Sequence, residues 1–464
     1  MEQKSDSKAK KMILCALLGL LPLSLSHADS ACTLLPVANY QTPFCQNQYQ
    51  KIIHFTPHVF NTQNQNVIPG QTLGGIIGIY RHINNGEQTC YISCGLQRLN
   101  GEAPNENTMF ELASVTKTFT GAVLGTLVHK RLLKPSNLAS TLLPSNFSLT
   151  ANEAPVTLEQ LVTFSGGVCF SNPPDVNIHS GNPILNQKNY VRAINRLDPS
   201  FPYCLGEQRL GANPRSIYQT TLLPTQNHYS NSSLGLLAQA LMNYEGFPDA
   251  LEGSFNGWIC SNITNPLEMN STNACLPKQA KNGTCPTKTT VNGTPCNTHN
   301  WKNAQYAMGY HLNNQHYQQG APFPFIPWAG AGALRSNASD MIKYIRANLG
   351  IRTNNNPKQI DLIQGMQIAH AANKYLPSPI NQPAKWNIGN QFPIKGGQGY
   401  AWVCEIINND RICGKIGGHI NFRSFIGIST KKQYGVIVLF NTGANGRSKV
   451  PTVSEIGVNL IKNY

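Results

Sequence analysis

Apolar residues along the chain change their spacing twice. Residues 74–81 (GGIIGIYR) form an unbroken apolar run of strand length. Residues 88–94 return as a second strand after a turn at 82–86 that carries an Asn-Gly signal. Beyond Ala113 the period becomes helical: Val115, Phe119, Ala122, Val123, Leu127 and Val128 fall on one face. From about 131 to 300 the chain is rich in loop residues, with helical stretches near 156–164 and 232–245. Within it, 253–300 is dense in Asn, Thr, Gly and Cys and reads as a disulfide-pinned insertion rather than core. Residues 338–349 predict another helix. Short β-branched runs then follow at 401–407, 411–416, 422–430 and 434–441, with turns at 408–410 and 431–433. Pro451 opens a last helix with Val453, Ile456, Leu460 and Ile461 on one face. This order predicts one antiparallel sheet built from both ends of the chain. Terminal helices cover a face of it, the middle is mostly helical, and a site is expected in the seam.

Composition narrows the function classes. The chain has 464 residues, 41% hydrophobic, which is enough for a sizeable core, and only 12% charged. The usual charged share is about 25%, so a disordered charged-tail protein is excluded. The net charge is +15; without the first 28 residues, 32 basic residues face 19 acidic ones. Such a balance suits nucleic acid or an anionic envelope surface. Basic residues are scattered among Asn and Gln rather than clustered, so no nucleic-acid partner is expected.

The first 28 residues read as an export signal. Lys4, Lys8, Lys10 and Lys11 precede an apolar run at 12–26, and Ser26 and Ala28 stand at the −3 and −1 positions of a cleavage site. The run is shorter than the ~20 residues that span a bilayer, so no stable membrane anchor is expected. Asp29 before Ser30, Ala31 and Cys32 fits a lipid-attachment box poorly. The exported chain keeps 12 of its 13 cysteines, an even number that reads as disulfides. No C-x-x-C or H-E-x-x-H occurs, so neither a metal site nor another cofactor is expected. Local pairing suggests Cys32–Cys45, Cys169–Cys204, Cys260–Cys275, Cys285–Cys296 and Cys404–Cys413. Cys90 and Cys94 lie about 13 Å apart if their strand is regular. A disulfide needs Cα atoms within about 7 Å, so either the strand breaks or the two pair elsewhere.

Three short motifs could build a nucleophilic site. Ser114-Val-Thr-Lys117 puts a hydroxyl and an amine three residues apart on one helix face. A serine needs a neighbour to take its proton, and a lysine does so if a helix N-terminus or second cation lowers its pKa. The same spacing recurs at Ser5–Lys8, Ser7–Lys10 and Ser429–Lys432, and Ser114 could simply be a helix cap. Tyr229-Ser-Asn231 is the only Y-x-N in the chain. A phenol near two ammonium groups can ionise and act as a base, and Asn231 can hold the lysine and a substrate amide. The alternative is that Asn231 or Ser232 caps the helix that follows. Lys415-Ile-Gly-Gly-His419 lies on a strand whose glycines let a substrate approach and whose backbone N–H can serve an oxyanion, unless they mark bulges.

Together these motifs resemble the penicillin-recognising serine hydrolases, and most of all the class C β-lactamases. The resemblance spans roughly 50–464. It includes 68–70 (IPG), 109–121 (MFELASVTKTFTG), 157–166 (TLEQLVTFSG), 229–237 (YSNSSLGLL), 307–310 (AMGY), 331–340 (AGALRSNASD) and 399–402 (GYAW). It implies an α+β, β-lactamase/transpeptidase-like fold with a five-stranded antiparallel sheet flanked by terminal helices. The α/β part would cover about 50–130 and 305–464, and a helical part with the disulfide-rich insertion about 131–304. By position, Ser114 would be acylated, and Lys117 and Tyr229 would share the proton work as one coupled unit. Asn231 would orient the acyl amide, and Lys415 would supply positive charge. The N–H groups of Ser114 and Gly418 would form the oxyanion hole.

The family's K-T-G is here Lys415-Ile416-Gly417, without the hydroxyl that binds a substrate carboxylate. Losing a hydrogen bond to a charged group costs about 1.5–3 kcal/mol. Ile416, Gly417 and His419 remain substrate-binding candidates. Asn445 or Arg447 could substitute for the hydroxyl, or could be plain surface residues. The leading reading is an exported, periplasmic, monomeric serine hydrolase of β-lactams. Other readings are a D,D-carboxypeptidase or D-aminopeptidase on envelope peptides, an esterase of the same fold, and a penicilloyl-accepting binding protein.

Overall fold

A computed structural model describes residues 31–37, 41–84, 86–143, 150–151, 154–166, 229–247, 252–275, 305–322, 328–371, 396–443 and 448–464. Eight strands make one sheet: β1 (Cys32–Leu34), β2 (Gly74–Ile83), β3 (Gly86–Gly95), β4 (Gly396–Gln398), β5 (Val403–Ile407), β6 (Asp410–Gly418), β7 (Arg423–Ser429) and β8 (Tyr434–Phe440). Their order is β1-β3-β2-β8-β7-β6-β5-β4, every neighbour antiparallel. The sheet therefore joins both ends of the chain, as the apolar runs predict, but it is wider than the five strands implied by the resemblance. The edge strands β1 and β4 have three residues each, too few to show an alternation. The β5–β6 turn is a two-residue loop in which Asn408 and Asn409 both take positive φ (52° and 59°), the twist that suits a tight hairpin.

Both faces of the sheet are covered, which is why its central strands read as continuous apolar runs. Alternation sorts their side chains. Ile77, Ile79, Phe425, Val436, Val438 and Phe440 join helices α1 (Pro43–Phe55) and α9 (Val453–Lys462) in one cluster. Ile76, Tyr80, Ile426, Ile428, Ile437 and Leu439 point the other way. They meet α2 (Thr116–His129), α3 (Leu158–Val162), α4 (Asn231–Tyr244), α5 (Glu252–Ile259), α6 (Ala329–Gly332), α7 (Ala338–Asn348) and α8 (Pro357–Ala371). Fully burying one such aliphatic or aromatic side chain contributes about 1.5–3 kcal/mol. Phe255, Trp258 and Ile259 belong to this second core, so the start of 253–300 is core and not insertion. The last helix is capped by Thr452 in a reciprocal box with Glu455, and Pro451 stands just outside it rather than opening it.

Helix α2 sits at the centre. Phe119 stacks on Tyr344 with ring centroids 4.0 Å apart. On the α8 side, a Cβ at Gly125 would lie 2.1 Å from the Gly365 carbonyl oxygen, so this helix crossing requires glycine. The strand bearing Cys90 and Cys94 does not break; the two pair elsewhere, as Cys45–Cys90 and Cys32–Cys94. The local pairing Cys32–Cys45 is thus corrected: both residues are tied to β3, one from β1 and one from α1. Cys404–Cys413 forms as expected, across directly opposed positions of β5 and β6. Cys260 and Cys275 are each disulfide-bonded, but no bridge joins the two to one another among the described residues, so the expected Cys260–Cys275 pairing is not found. The export signal at 1–28, the pairings Cys169–Cys204 and Cys285–Cys296, and the loop with Asn445 and Arg447 lie outside the described residues. Among the described residues no helix is long and apolar enough to cross a membrane.

Candidate active site

The turn that carries Ser114 is held from several sides before α2 begins. Residues Phe110–Glu111 pair with Arg335–Ser336. Leu112 N–H donates to the Leu334 carbonyl (2.9 Å), and the Ser424 hydroxyl on β7 donates to the Leu112 carbonyl (2.7 Å). Ala113 takes φ +46°, the left-handed region that an alanine adopts only at a cost. A 3₁₀ turn over Ala113–Val115 then leads into α2 from Thr116. Ser114 caps nothing, because the α2 N-cap is Val115 and makes no side-chain cap bond. Its side chain is half-buried and reachable from outside.

Two side chains from distant parts of the chain converge on the Ser114 Oγ. Lys117, one turn along α2, donates to it at 2.8 Å, and the Tyr229 hydroxyl donates to it at 2.7 Å. Lys117 is fully buried and spends its other two protons on Asn231 Oδ1 and the Ala331 carbonyl, both at 2.7 Å. Asn231 is free for this because Ser230 caps α4 by accepting from Ser233 N–H at 2.9 Å, which corrects the expectation that Asn231 or Ser232 is the cap. The Ala331 carbonyl is a partner that sequence reading misses, since a backbone group leaves no residue-type signal.

The electrostatics follow from burial without a counter-ion among the described residues. Burial first, and the nearby Lys415 charge second, hold Lys117 well below the ordinary lysine range. Burial brings Lys415 down to about 7. Tyr229 goes the other way: burial raises its phenol, and the hydrogen bond with Ser114 opposes this only in part. The two ammonium groups lie over its ring, Lys415 at 4.6 Å and Lys117 at 5.0 Å from the centroid. Burial thus opposes ionisation of the phenol and protonation of the lysine amine alike. Neutral Lys117 would keep two N–H donors for Asn231 Oδ1 and the Ala331 carbonyl, oxygens that can only accept, so its lone pair would face Ser114.

Strand β6 closes the far side. Its pairing with β5 ends at Gly414, opposite Val403, so Lys415 to Gly418 pair with β7 alone among the described residues. A Cβ on Gly417 would fall 2.2 Å from the Leu112 carbonyl and 3.2 Å from the Ser114 nitrogen, so the strand and the nucleophile turn are in direct contact. Gly418 is exposed and a Cβ there would meet nothing within 4 Å. Ile416 lies on the opposite face from Lys415 and packs against the α1–α9 cluster. His419, expected to bind substrate, is instead turned inward, its Nε2 2.6 Å from Glu111 Oε2. Among the described residues no cluster of three His, Cys, Asp or Glu could hold a metal ion.

A serine, a buried lysine and a tyrosine meeting beside the half-paired end of a strand, in one antiparallel sheet covered by helices on both faces, define the serine β-lactamase/transpeptidase class. The Beta-lactamase family model matches residues 64–453, and the chain belongs to that family. It is similar to a "Beta-lactamase" of Escherichia coli (strain K12), with 23% identity over 462 residues, 92% of this chain and 97% of that one. Among solved structures, a β-lactamase/D-alanine carboxypeptidase from Pseudomonas syringae superposes with a TM-score of 0.58 at 18% identity, covering 90% of this chain and 96% of that one. A class C β-lactamase from Rhodobacter sphaeroides gives 0.55 at 16% identity, covering 84% and 95%.

Proposed function

We propose that the protein is an exported serine hydrolase that forms an acyl-enzyme on Ser114, with β-lactams as its substrate class. The observation that carries this reading is the pair of bonds on one accessible hydroxyl, from Lys117 at 2.8 Å and Tyr229 at 2.7 Å. Neutral Lys117 takes the Ser114 proton as Oγ attacks the carbonyl carbon. The developing oxyanion is held by the N–H groups of Ser114 and Gly418. As the C–N bond breaks, the Tyr229 hydroxyl gives its proton to the leaving nitrogen and is reprotonated from Lys117. Asn231, whose Nδ2 has no hydrogen-bond partner among the described residues, holds the acyl amide. A water activated on the Tyr229 side then hydrolyses the ester. Export fits the disulfides Cys32–Cys94, Cys45–Cys90 and Cys404–Cys413. All side chains invoked come from one chain, so a monomer suffices.

Ile416 favours a second reading, in which the natural acyl donor is an ester or envelope peptide. An apolar side chain packed into the α1–α9 cluster offers a substrate carboxylate nothing, and leaves Lys415 as its cation. Purified protein should hydrolyse nitrocefin, and kcat/KM for this anionic lactam should rise with pH as Lys117 loses its proton. It should fall again above about 7, where Lys415 loses its charge. A neutral p-nitrophenyl ester should show the rise without the fall. Turnover of the ester alone would select the second reading, and turnover of neither would reject both.

A further inference from the structure

We infer that His419 and Glu111 form a latch that holds the two backbone donors of the oxyanion hole in register, making both positioning residues for acyl transfer. This rests on the acyl-enzyme reading above. The two donors come from segments far apart in sequence: Ser114 on the turn before α2, and Gly418 at the end of β6. Nothing covalent fixes their separation, yet a transition-state oxyanion is stabilised only if both N–H groups stand at hydrogen-bond distance from one oxygen.

Two side-chain ties straddle the gap. On one side the Ser424 hydroxyl of β7 donates to the Leu112 carbonyl at 2.7 Å. On the other, His419, the residue after Gly418, places Nε2 2.6 Å from Glu111 Oε2, and Glu111 is three residues before Ser114. Both side chains of this second tie are only 6% exposed. The tautomer is set locally: the Asn421 backbone N–H donates to His419 Nδ1 at 3.2 Å, which leaves the ring proton to Nε2, the atom nearest the Glu111 carboxylate. The other carboxylate oxygen of Glu111 accepts from Arg335 Nη2 at 3.1 Å and Nε at 3.3 Å. Arg335 is itself fixed by the Cys275 and Ala333 carbonyls. The latch thus runs from the sheet edge through a carboxylate to a buried guanidinium, and none of its groups reaches the Ser114 hydroxyl. Its effect is on where the N–H groups stand, not on proton transfer.

The test uses the full exported chain and its His419→Ala, His419→Gln and Glu111→Gln variants. Penicillin acylation would be followed by stopped flow, and the acyl carbonyl stretch of the trapped ester by infrared difference spectroscopy. His419→Ala should acylate roughly 10–100-fold more slowly with KM little changed, because misplacement on the order of 1 Å is costly in the transition state. Its acyl carbonyl band should move to higher frequency as the hydrogen bonds to it weaken. His419→Gln, which retains an N–H donor, should recover most of the rate and the band position. Glu111→Gln should resemble His419→Ala, with a lower Tm besides. A His419→Ala enzyme with wild-type acylation rate and an unmoved carbonyl band would overturn the latch while leaving the acyl-enzyme intact. Absence of any adduct on the wild-type chain would overturn both.

Discussion

Replacing Lys117 by arginine should slow acylation of Ser114 by about 10²–10⁴-fold, the range that loss of a positioned general base produces. Arginine keeps a cation and several donors but cannot surrender a proton near neutrality. If Lys117 acts only as a fixed charge holding Asn231 and Ala331, the substitution should be mild. If it acts as the base, the rate collapses although the charge remains. Lys117→Met separates chemistry from crowding, since it keeps a similar stem and adds no bulk. Both variants should be checked for folding by circular dichroism and Tm, because Lys117 lies in the central core at 0% exposure. Either folded variant acylating within tenfold of wild type would show that the proton goes elsewhere, with Tyr229 the next group to examine. Tyr229 stands second because burial raises its pKa while burial lowers that of Lys117.

Gly417→Ala should be the second severe lesion, lowering kcat/KM by about 10²–10³-fold, the effect of losing one oxyanion donor. The added methyl would meet the Leu112 carbonyl and the Ser424 oxygen, each at 2.2 Å. The carbonyl is backbone and cannot swing aside. Strand β6 and the nucleophile turn must then part, which separates the Ser114 and Gly418 N–H groups and breaks the Ser424–Leu112 bond. A fall in Tm should accompany the loss of rate. Gly418→Ala is the control: its methyl meets nothing within 4 Å, so Tm should hold. Wild-type kcat/KM in folded Gly417→Ala would mean that the close packing of these segments is irrelevant to turnover.

The parts of this arrangement that depend on residue type and spacing were legible along the chain. Ser114 and Lys117 are three apart on one helix, Tyr229 and Asn231 bracket a helix start, and Lys415 and Gly417 alternate on a strand. Their meeting at one oxygen was legible only through the combination of motifs, since each alone fits an ordinary cap or hairpin. What escaped was of three kinds. The Ala331 carbonyl and the φ of Ala113 are backbone features with no side-chain signature. The inward turn of His419 depends on Glu111, over 300 positions away, which no local pattern links to it. The Cys32–Cys45 pairing failed for a related reason: proximity in sequence suggested it, whereas strand pairing sets Cys32 opposite Cys94. Helix α8, with Gly365 against Gly125, was missed because its buried face mixes Gln359, Gly365 and His370 with Leu362, Ile363 and Met366, while Ile360 and Ile368 lie off that face, which blurs the apolar period.

Intact-mass spectrometry of the wild-type chain and Ser114→Ala, acid-quenched at short times after mixing with benzylpenicillin, tests the central claim most directly. The account predicts a single penicilloyl adduct on the wild-type chain, mapped to the peptide containing Ser114 and decaying as product appears, with none on Ser114→Ala. An adduct of equal yield on Ser114→Ala, or on a peptide elsewhere in the wild-type chain, would contradict it.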